Sequence, residues 1–411
     1  MDFVASLYPA LTERQNLPQY YTPLCFFFSI VPFLTVHRRL AIVVTLPFLL
    51  YLCTCWPCFT SGGNSSDYYN GSLFAALPLW YIDFVLLTPR YGDTTPTFIG
   101  AKKARCSKET KISGLEGQQW KDCITFGERM RWSVRLMIPA QRGIGWNWQV
   151  KGDSVGPESE LSHWQYIQNC LKKALVCYLN SVGALVMVGF GYTFRIAFNS
   201  DHYVQSALAN GLVGISGAIW VWNRLECSYS LAAAIGVGTG LTGAWEWPPL
   251  MASLKSAWSV RQMWGTTYHQ SCRRLLSQPA KQIVQILRLR KGSLPLAYFQ
   301  LFISFGISCI FHQVQMFNVT RKDMGEFAFF MSQPLAIAAE DLVSCTWRHI
   351  PIYSENKRFG VIFGYVWVFV WFSLSTHQYV YGLIDANVMK DWLLGYLPFE
   401  YGADLAQGFR L

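Results

Sequence analysis

The sequence predicts an all-α, polytopic membrane protein, and three observations carry that expectation. Of the 411 residues, 52% are hydrophobic and only 14% are charged, against about 25% charged in a typical soluble domain. The mean hydropathy is positive, +0.21. Apolar runs of about 17–25 residues, long enough to cross a bilayer, recur from one end to the other. A single integral-membrane domain over residues 1–411 follows, with about nine to ten spans. The net charge of +10 is gathered into two inter-helix stretches, so it marks orientation and not a nucleic-acid partner.

The clearer spans are expected at 22–36, 40–56, 73–88, 170–192, 204–221, 295–317, 327–345, 359–374 and 379–397. The Gly- and Ala-rich segment 228–244 is either a tightly packed helix or a re-entrant segment buried in protein. No basic n-region precedes the first apolar run, which is therefore expected to act as an uncleaved anchor. Short loops set the orientation through their Lys and Arg content. His37, Arg38 and Arg39 follow the first span and place that end in the cytosol. The loop 57–71 has no Lys or Arg and carries two glycosylation sequons, at Asn64 and Asn70, which fits a lumenal side. The polar region 89–165 has twelve Lys/Arg against eight Asp/Glu, and 248–293 has eight with no acidic residue. Both are expected on the cytosolic face, at the endoplasmic reticulum membrane.

Twelve cysteines are scattered. Cys25, Cys177, Cys309 and Cys345 fall in apolar segments, where a thiol behaves as a small hydrophobe. Cys53, Cys55 and Cys58 lie close together. No neighbouring His or Cys pair completes a zinc pattern, so a helix-end disulfide is preferred there to a metal.

Seven histidines are present. His37, His163, His202, His349 and His377 fall at expected helix ends or loops and read as interfacial or solvated. His312 differs, because it lies inside an apolar run, where an ionisable side chain is costly and marks a candidate functional site. On a helix, Ser308 at i−4 and Cys309 at i−3 share its face, with Phe305 one turn further back. That small polar face between greasy flanks suits the wall of a pocket. His269 sits at the polar edge of a basic amphipathic stretch in which Trp258, Arg261, Trp264, Tyr268 and Cys272 recur at helical spacing. An interfacial helix is the plain expectation there. The stretch "RGIGWNWQVKG", from Arg142 to Gly152, lacks the Gly-Lys-Ser/Thr ending of a phosphate loop. It reads as a membrane-surface turn anchored by Trp146 and Trp148.

Taken in order, "RGIGWNW", "SVRQMWGTTYHQ" (Ser259 to Gln270) and "FGISCIFH" (Phe305 to His312) resemble the wax-synthase-like branch of the membrane-bound O-acyltransferase superfamily. Within it they are most similar to fungal O-acetyltransferases of terpenoid and meroterpenoid metabolism. The resemblance covers about residues 73–411. It implies that His312 is the essential residue and that His269 stands where the branch has an Asn or His. Trp264 and Gly265 match the "WG" core. Thr266 and Thr267 replace a pair of arginines, Tyr268 replaces a Trp, and Cys309 replaces a glycine.

The resemblance implies acyl transfer from coenzyme A to an alcohol, with acetyl-CoA as co-substrate and no bound cofactor or metal. The hydroxyl must lose its proton as it attacks the thioester, and a neutral imidazole is a natural base near pH 7. Burial of His312 among apolar groups disfavours its charged form. The oxyanion needs a donor, for which His269, Trp264 or a backbone N–H is available. Arg142, Arg261, Arg273 and Arg274 are candidate contacts for polyanionic CoA, and Trp264 and Ser308 for substrate. The acceptor would be a hydrophobic alcohol arriving from the bilayer. The alternatives are a long-chain wax or sterol ester synthase of the same fold, and a transporter or lipid-binding protein. A transporter predicts two related halves with broken helices, and no such symmetry is visible.

Overall fold

The computed structural model describes residues 2–88, 95–100, 117–137, 142–150, 161–197, 203–286, 292–347, 357–391 and 393–408. In chain order its main helices are α1 (Tyr21–Leu34), α2 (Arg38–Cys55), α3 (Asn64–Trp80), α4 (Phe126–Met137), α5 (His163–Ala197), α6 (Tyr203–Gly238), α7 (Arg273–Ile286), α8 (Leu294–Thr320), α9 (Glu326–Trp347), α10 (Lys357–Asp385) and α11 (Leu397–Gly408). The one sheet among the described residues is a parallel pair of two-residue strands, β1 (Gln15–Asn16) and β2 (Phe59–Thr60). Two π turns interrupt the α pattern: Tyr81–Leu87, which continues α3, and Met263–Thr267.

Six helices among the described residues are long and apolar enough to cross a membrane: α2, α3 with its π turn, α5, α6, α8 and α10. The multi-pass expectation holds, and the number of long spans is smaller than nine to ten. Several differences account for this. The runs 204–221 and 228–244 are one helix, α6, up to Gly238. The run 379–397 is not a separate span, because α10 continues unbroken to Asp385 and α11 begins only at Leu397. His377 is accordingly inside α10 and not at a helix end. The run 22–36 is a 14-residue helix, about 21 Å long at 1.5 Å per residue, short of a bilayer core. The run 327–345 is helical, but it contains Pro334, Glu340 and Asp341 and is not among the six. His202 and His349 lie outside the described residues.

The chain divides into two compact units: Met1–Gly156 with Trp245–Pro248 and Gln270–Asp323, and Pro157–Ala244 with Pro249–His269 and Met324–Leu411. The first unit is built on an aromatic core that includes Trp56, Phe74, Tyr81, Trp120, Trp132 and Trp146. α8 packs along α3, where Gln315 donates to Ser72 Oγ at 2.5 Å. Arg14 ties the N-terminal segment to both helices: its Nη1 donates to Asp67 Oδ2 and to the Asn318 carbonyl, each at 2.9 Å. Cys53, Cys55 and Cys58 are free thiols and not a disulfide.

The second unit pairs α5 with α6 and lays α10 on α6 and α11 on α5. The α5–α11 crossing is backbone on backbone. A Cβ at Gly189 would stand 2.0 Å from the Phe399 carbonyl oxygen, and one at Gly402 1.9 Å from that of Val186. Only glycine admits helices this close, and close approach is how helices gain contact in lipid. The polar residues inside α6 are paired. Arg224 Nη1 lies 3.5 Å from Asp391 Oδ2. Asp391 Oδ1 accepts from the Tyr178 hydroxyl at 3.0 Å and from the Leu393 and Leu394 N–H groups at 2.8 Å. Glu226 pairs with Lys173 at 2.7 Å and accepts the Met251 N–H at 3.2 Å. A buried charge survives only with such partners, and these let "NRLE" run through a helix instead of ending one.

Candidate functional site

In the second unit the segment from Ser259 to His269 is held at its start, middle and end. It opens as a turn of helix, Val260–Gln262, and passes into the π turn Met263–Thr267. A helix start leaves N–H groups without intrahelical partners. Here Ser259 Oγ accepts the Gln262 N–H at 3.0 Å, and Glu340 of α9 accepts those of Val260 at 2.6 Å and Arg261 at 3.1 Å. Trp264 Nε1 donates to Gln333 Oε1 at 3.1 Å. Tyr268 leaves the helix in an extended conformation. Its ring packs edge-on to Trp264, with centroids 5.3 Å apart, and against His269 at 4.4 Å. The His269 N–H points to Met251 Sδ at 3.1 Å. The expected continuous amphipathic helix is therefore absent: the chain breaks at Tyr268 and restarts at Arg273. Arg261 is exposed and its guanidinium binds the Asp341 carboxylate.

His312 belongs to the first unit, in α8. It lies on the stripe Phe305, Cys309, Met316, whose members are all buried, yet it is itself only half-buried. His312 is thus the partly accessible member of an otherwise buried stripe. Ser308, one turn earlier, is half-buried as well, and a Cβ at Gly306 would meet nothing within 4 Å. Cys309 packs in the core as a small hydrophobe.

Three of the four candidate arginines also lie in this unit. Arg274 Nε donates to Asp83 Oδ2 at 2.6 Å and Nη2 to Oδ1 at 3.0 Å, a bidentate pair. Its guanidinium lies over the rings of Phe84 at 4.6 Å and Trp148 at 4.7 Å. Together with Trp80 and Ser271 these groups line a small cleft, and Trp148 Nε1 is buried there without an acceptor among the described residues. Arg142 is buried, and its Nη2 donates to the Pro248 carbonyl at 2.7 Å. Arg273 is exposed and donates to Gln270 Oε1 at 3.1 Å.

The "RGIGWNW" stretch is not a membrane-surface anchor. Trp146 is 1% exposed and packs edge-on to Trp132 and Phe98. Gly143 has φ +69°, and a Cβ there would meet the Trp148 ring at 2.5 Å, so the turn requires glycine. The stretch wedges between core aromatics and Pro248. Of the sequon residues, Asn64 begins α3, and Asn70 lies within it with its amide donating to Ser61 Oγ at 2.8 Å. The loop expected at 57–71 therefore becomes helical from Asn64.

Trp264 and His269 are thus brought together through Tyr268, and Arg274 is brought to the cleft beside Trp148. His269 and His312 fall in different units. Sequence reasoning missed Asp83, Gln333 and Glu340. The acidic pair Glu340–Asp341 inside an apolar run was the available signal.

Residues 247–332 match the model described as the membrane bound O-acyl transferase family. The acetyltransferase ple2 of Rhodocybe pseudopiperita is 25% identical over 340 residues, 80% of this chain and 81% of that one. The acetyltransferase aurG of Calcarisporium arbuscula is 31% identical over 170 residues, 40% of this chain and 41% of that one. The O-mevalon transferase macI of Penicillium terrestre is 27% identical over 285 residues, 61% and 62% of the two chains. No solved structure matches.

Proposed function

We propose that the chain, whose residues 247–332 match the membrane bound O-acyl transferase model and whose relatives include fungal acetyltransferases, transfers the acetyl group of acetyl-CoA to a hydroxyl on a hydrophobic terpenoid or meroterpenoid metabolite. His312 is the general base. The observation that carries this reading is the half-burial of His312 within the buried stripe of α8, inside the matched segment. A partly accessible histidine in an apolar helix can accept a proton from an alcohol that reaches it from the bilayer.

In the step proposed, the alcohol oxygen bonds to the thioester carbonyl carbon as its proton passes to His312. The tetrahedral intermediate then collapses, the carbon–sulfur bond breaks, and the CoA thiolate recovers the proton. His269 serves the substrate or CoA as a hydrogen-bonding group, and Trp264 borders the same segment. Arg274 is proposed for CoA because the cleft sets its guanidinium beside two aromatic faces and an indole N–H that awaits an acceptor. Arg142, buried at 4% exposure with Nη2 on the Pro248 carbonyl, is better suited to holding the loop than to binding CoA.

The test is acyl transfer by microsomes carrying the chain, with labelled acetyl-CoA or palmitoyl-CoA and a panel of hydroxylated terpenoids. The expected product is an acetyl ester, and His312→Ala should lower its rate by about 10²–10⁴-fold. Ester formation that survives His312→Ala overturns the base assignment. The relative named an O-mevalon transferase favours one further donor class, a branched hydroxyacyl thioester, as an additional arm. Preference for palmitoyl-CoA would indicate the wax-ester alternative.

A further inference from the structure

α9 lies largely beyond the family-matched segment, and its side chains grip that segment in a regular way. Gln333 and Glu340 are seven residues apart and so share one face of the helix. Each offers one oxygen to two donors. Glu340 Oε1 accepts the Val260 N–H at 2.6 Å and Trp367 Nε1 at 2.8 Å. Gln333 Oε1 accepts Trp264 Nε1 at 3.1 Å and Trp371 Nε1 at 3.0 Å. The two indoles on α10 are four residues, one turn, apart, and the later one meets the earlier acceptor, so the helices run antiparallel here. Gln333 is fully buried, and its amide nitrogen donates to the Phe329 carbonyl at 3.0 Å, which fixes the amide's orientation. Two rungs therefore set the start and the middle of the segment that ends in His269. Trp264 hands its position to Tyr268, and Tyr268 to His269, through ring contacts at 5.3 and 4.4 Å.

We propose that Gln333 and Glu340 are positioning residues for His269, fixing where its imidazole stands for acyl transfer. This rests on the reading above that the chain is an acyltransferase using His269. A ring displaced by about 1 Å costs up to about a hundredfold in rate without loss of binding groups. A purely structural role would instead track stability.

Steady-state kinetics of the full-length detergent-solubilised protein, beside its Tm, separate the two. Gln333→Leu and Trp264→Phe should each lower kcat by about tenfold or more, with KM for acetyl-CoA within about twofold. Glu340→Gln, which presents an amide N–H₂ to backbone donors, should do the same. Asp391→Asn, which disturbs Tyr178 and Arg224 instead, should lower Tm comparably while kcat stays within about twofold. The proposal is overturned if Gln333→Leu and Trp264→Phe keep kcat, or if Asp391→Asn loses as much kcat for the same loss of Tm. If Gln333→Leu does not fold, Trp264→Phe and Glu340→Gln decide. Wild-type protein that transfers no acyl group refutes the acyltransferase reading. Active wild-type protein with unaffected variants refutes the positioning alone.

Discussion

At the scale of single residues, partners distant in the chain decide what a charge does. His312 was legible because an ionisable side chain in an apolar run stands out without any partner. Asp391 was not, because what holds it comes from residues 178 and 224. Burial raises its carboxyl, but the N–H groups of Leu394 and Leu393, the Tyr178 hydroxyl and Arg224 outweigh that and hold it below the usual carboxylate range. A carboxyl lowered on folding takes up its proton more readily when unfolded. Its stabilising contribution is therefore complete above about pH 4 and disappears as pH falls through the lower folded value. The Tm of solubilised protein should accordingly fall below about pH 4 more steeply in the wild type than in Asp391→Asn. Parallel curves for the two proteins would remove Asp391 from the acid response. The arginines nominated for CoA make the same point. Composition revealed their clustering, while Asp83, Asp341 and the Pro248 carbonyl, which engage three of them, could not be foreseen from it.

At the scale of elements, the runs 40–56, 73–88, 170–192 and 295–317 are helices in the structure, with ends that differ by up to nine residues, because uninterrupted apolarity needs no tertiary help to be read. The breaks were misplaced wherever polar residues are satisfied by packing. "NRLE" lies within α6 because Asp391, Lys173 and Met251 receive its charges. "STHQ" lies within α10, where Ser373 and Thr376 are buried and the Ser373 backbone meets Gly214 of α6. The short α11 was hidden because its hold on α5 depends on glycines and not on hydropathy. At that crossing Gly402→Val should cost about 1–3 kcal/mol or more, since a carbonyl must move to admit the side chain. Size-exclusion profiles should show less monodisperse protein, with Gly402→Ala in between. A wild-type profile for Gly402→Val would mean that α11 lies more loosely on α5.

At the scale of the whole molecule, the helical membrane class and the acyltransferase resemblance followed from hydropathy and three short motifs, and the family match and relatives agree with both. The division into two units was not legible, because each unit is assembled from three separated stretches of chain. The orientation read from charge makes a claim about the membrane as a whole: the turn before α3 is lumenal. Glycosidase treatment of the microsomal protein should then increase its mobility. Asn64→Gln together with Asn70→Gln should abolish that shift, since these are the two sequon residues of the segment. An unshifted wild-type band would reverse the assignment.

The π turn at Met263–Thr267 carries a consequence for how this segment tolerates change. Thr266 is exposed, and nothing lies within 4 Å of a Cβ at Gly265. At Gly265 and Thr266 the turn is therefore indifferent to the side chain it carries, whereas Trp264 is held by Gln333 and Thr267 is buried. Its residue count is another matter. Successive residues of an α-helix step about 100° around the axis, so removing one from the turn would swing Tyr268 and His269 by more than a quarter of a circle. At those two positions variation is free in kind but not in number, and a one-residue gap would be a stronger sign of lost activity than substitutions at Gly265 and Thr266.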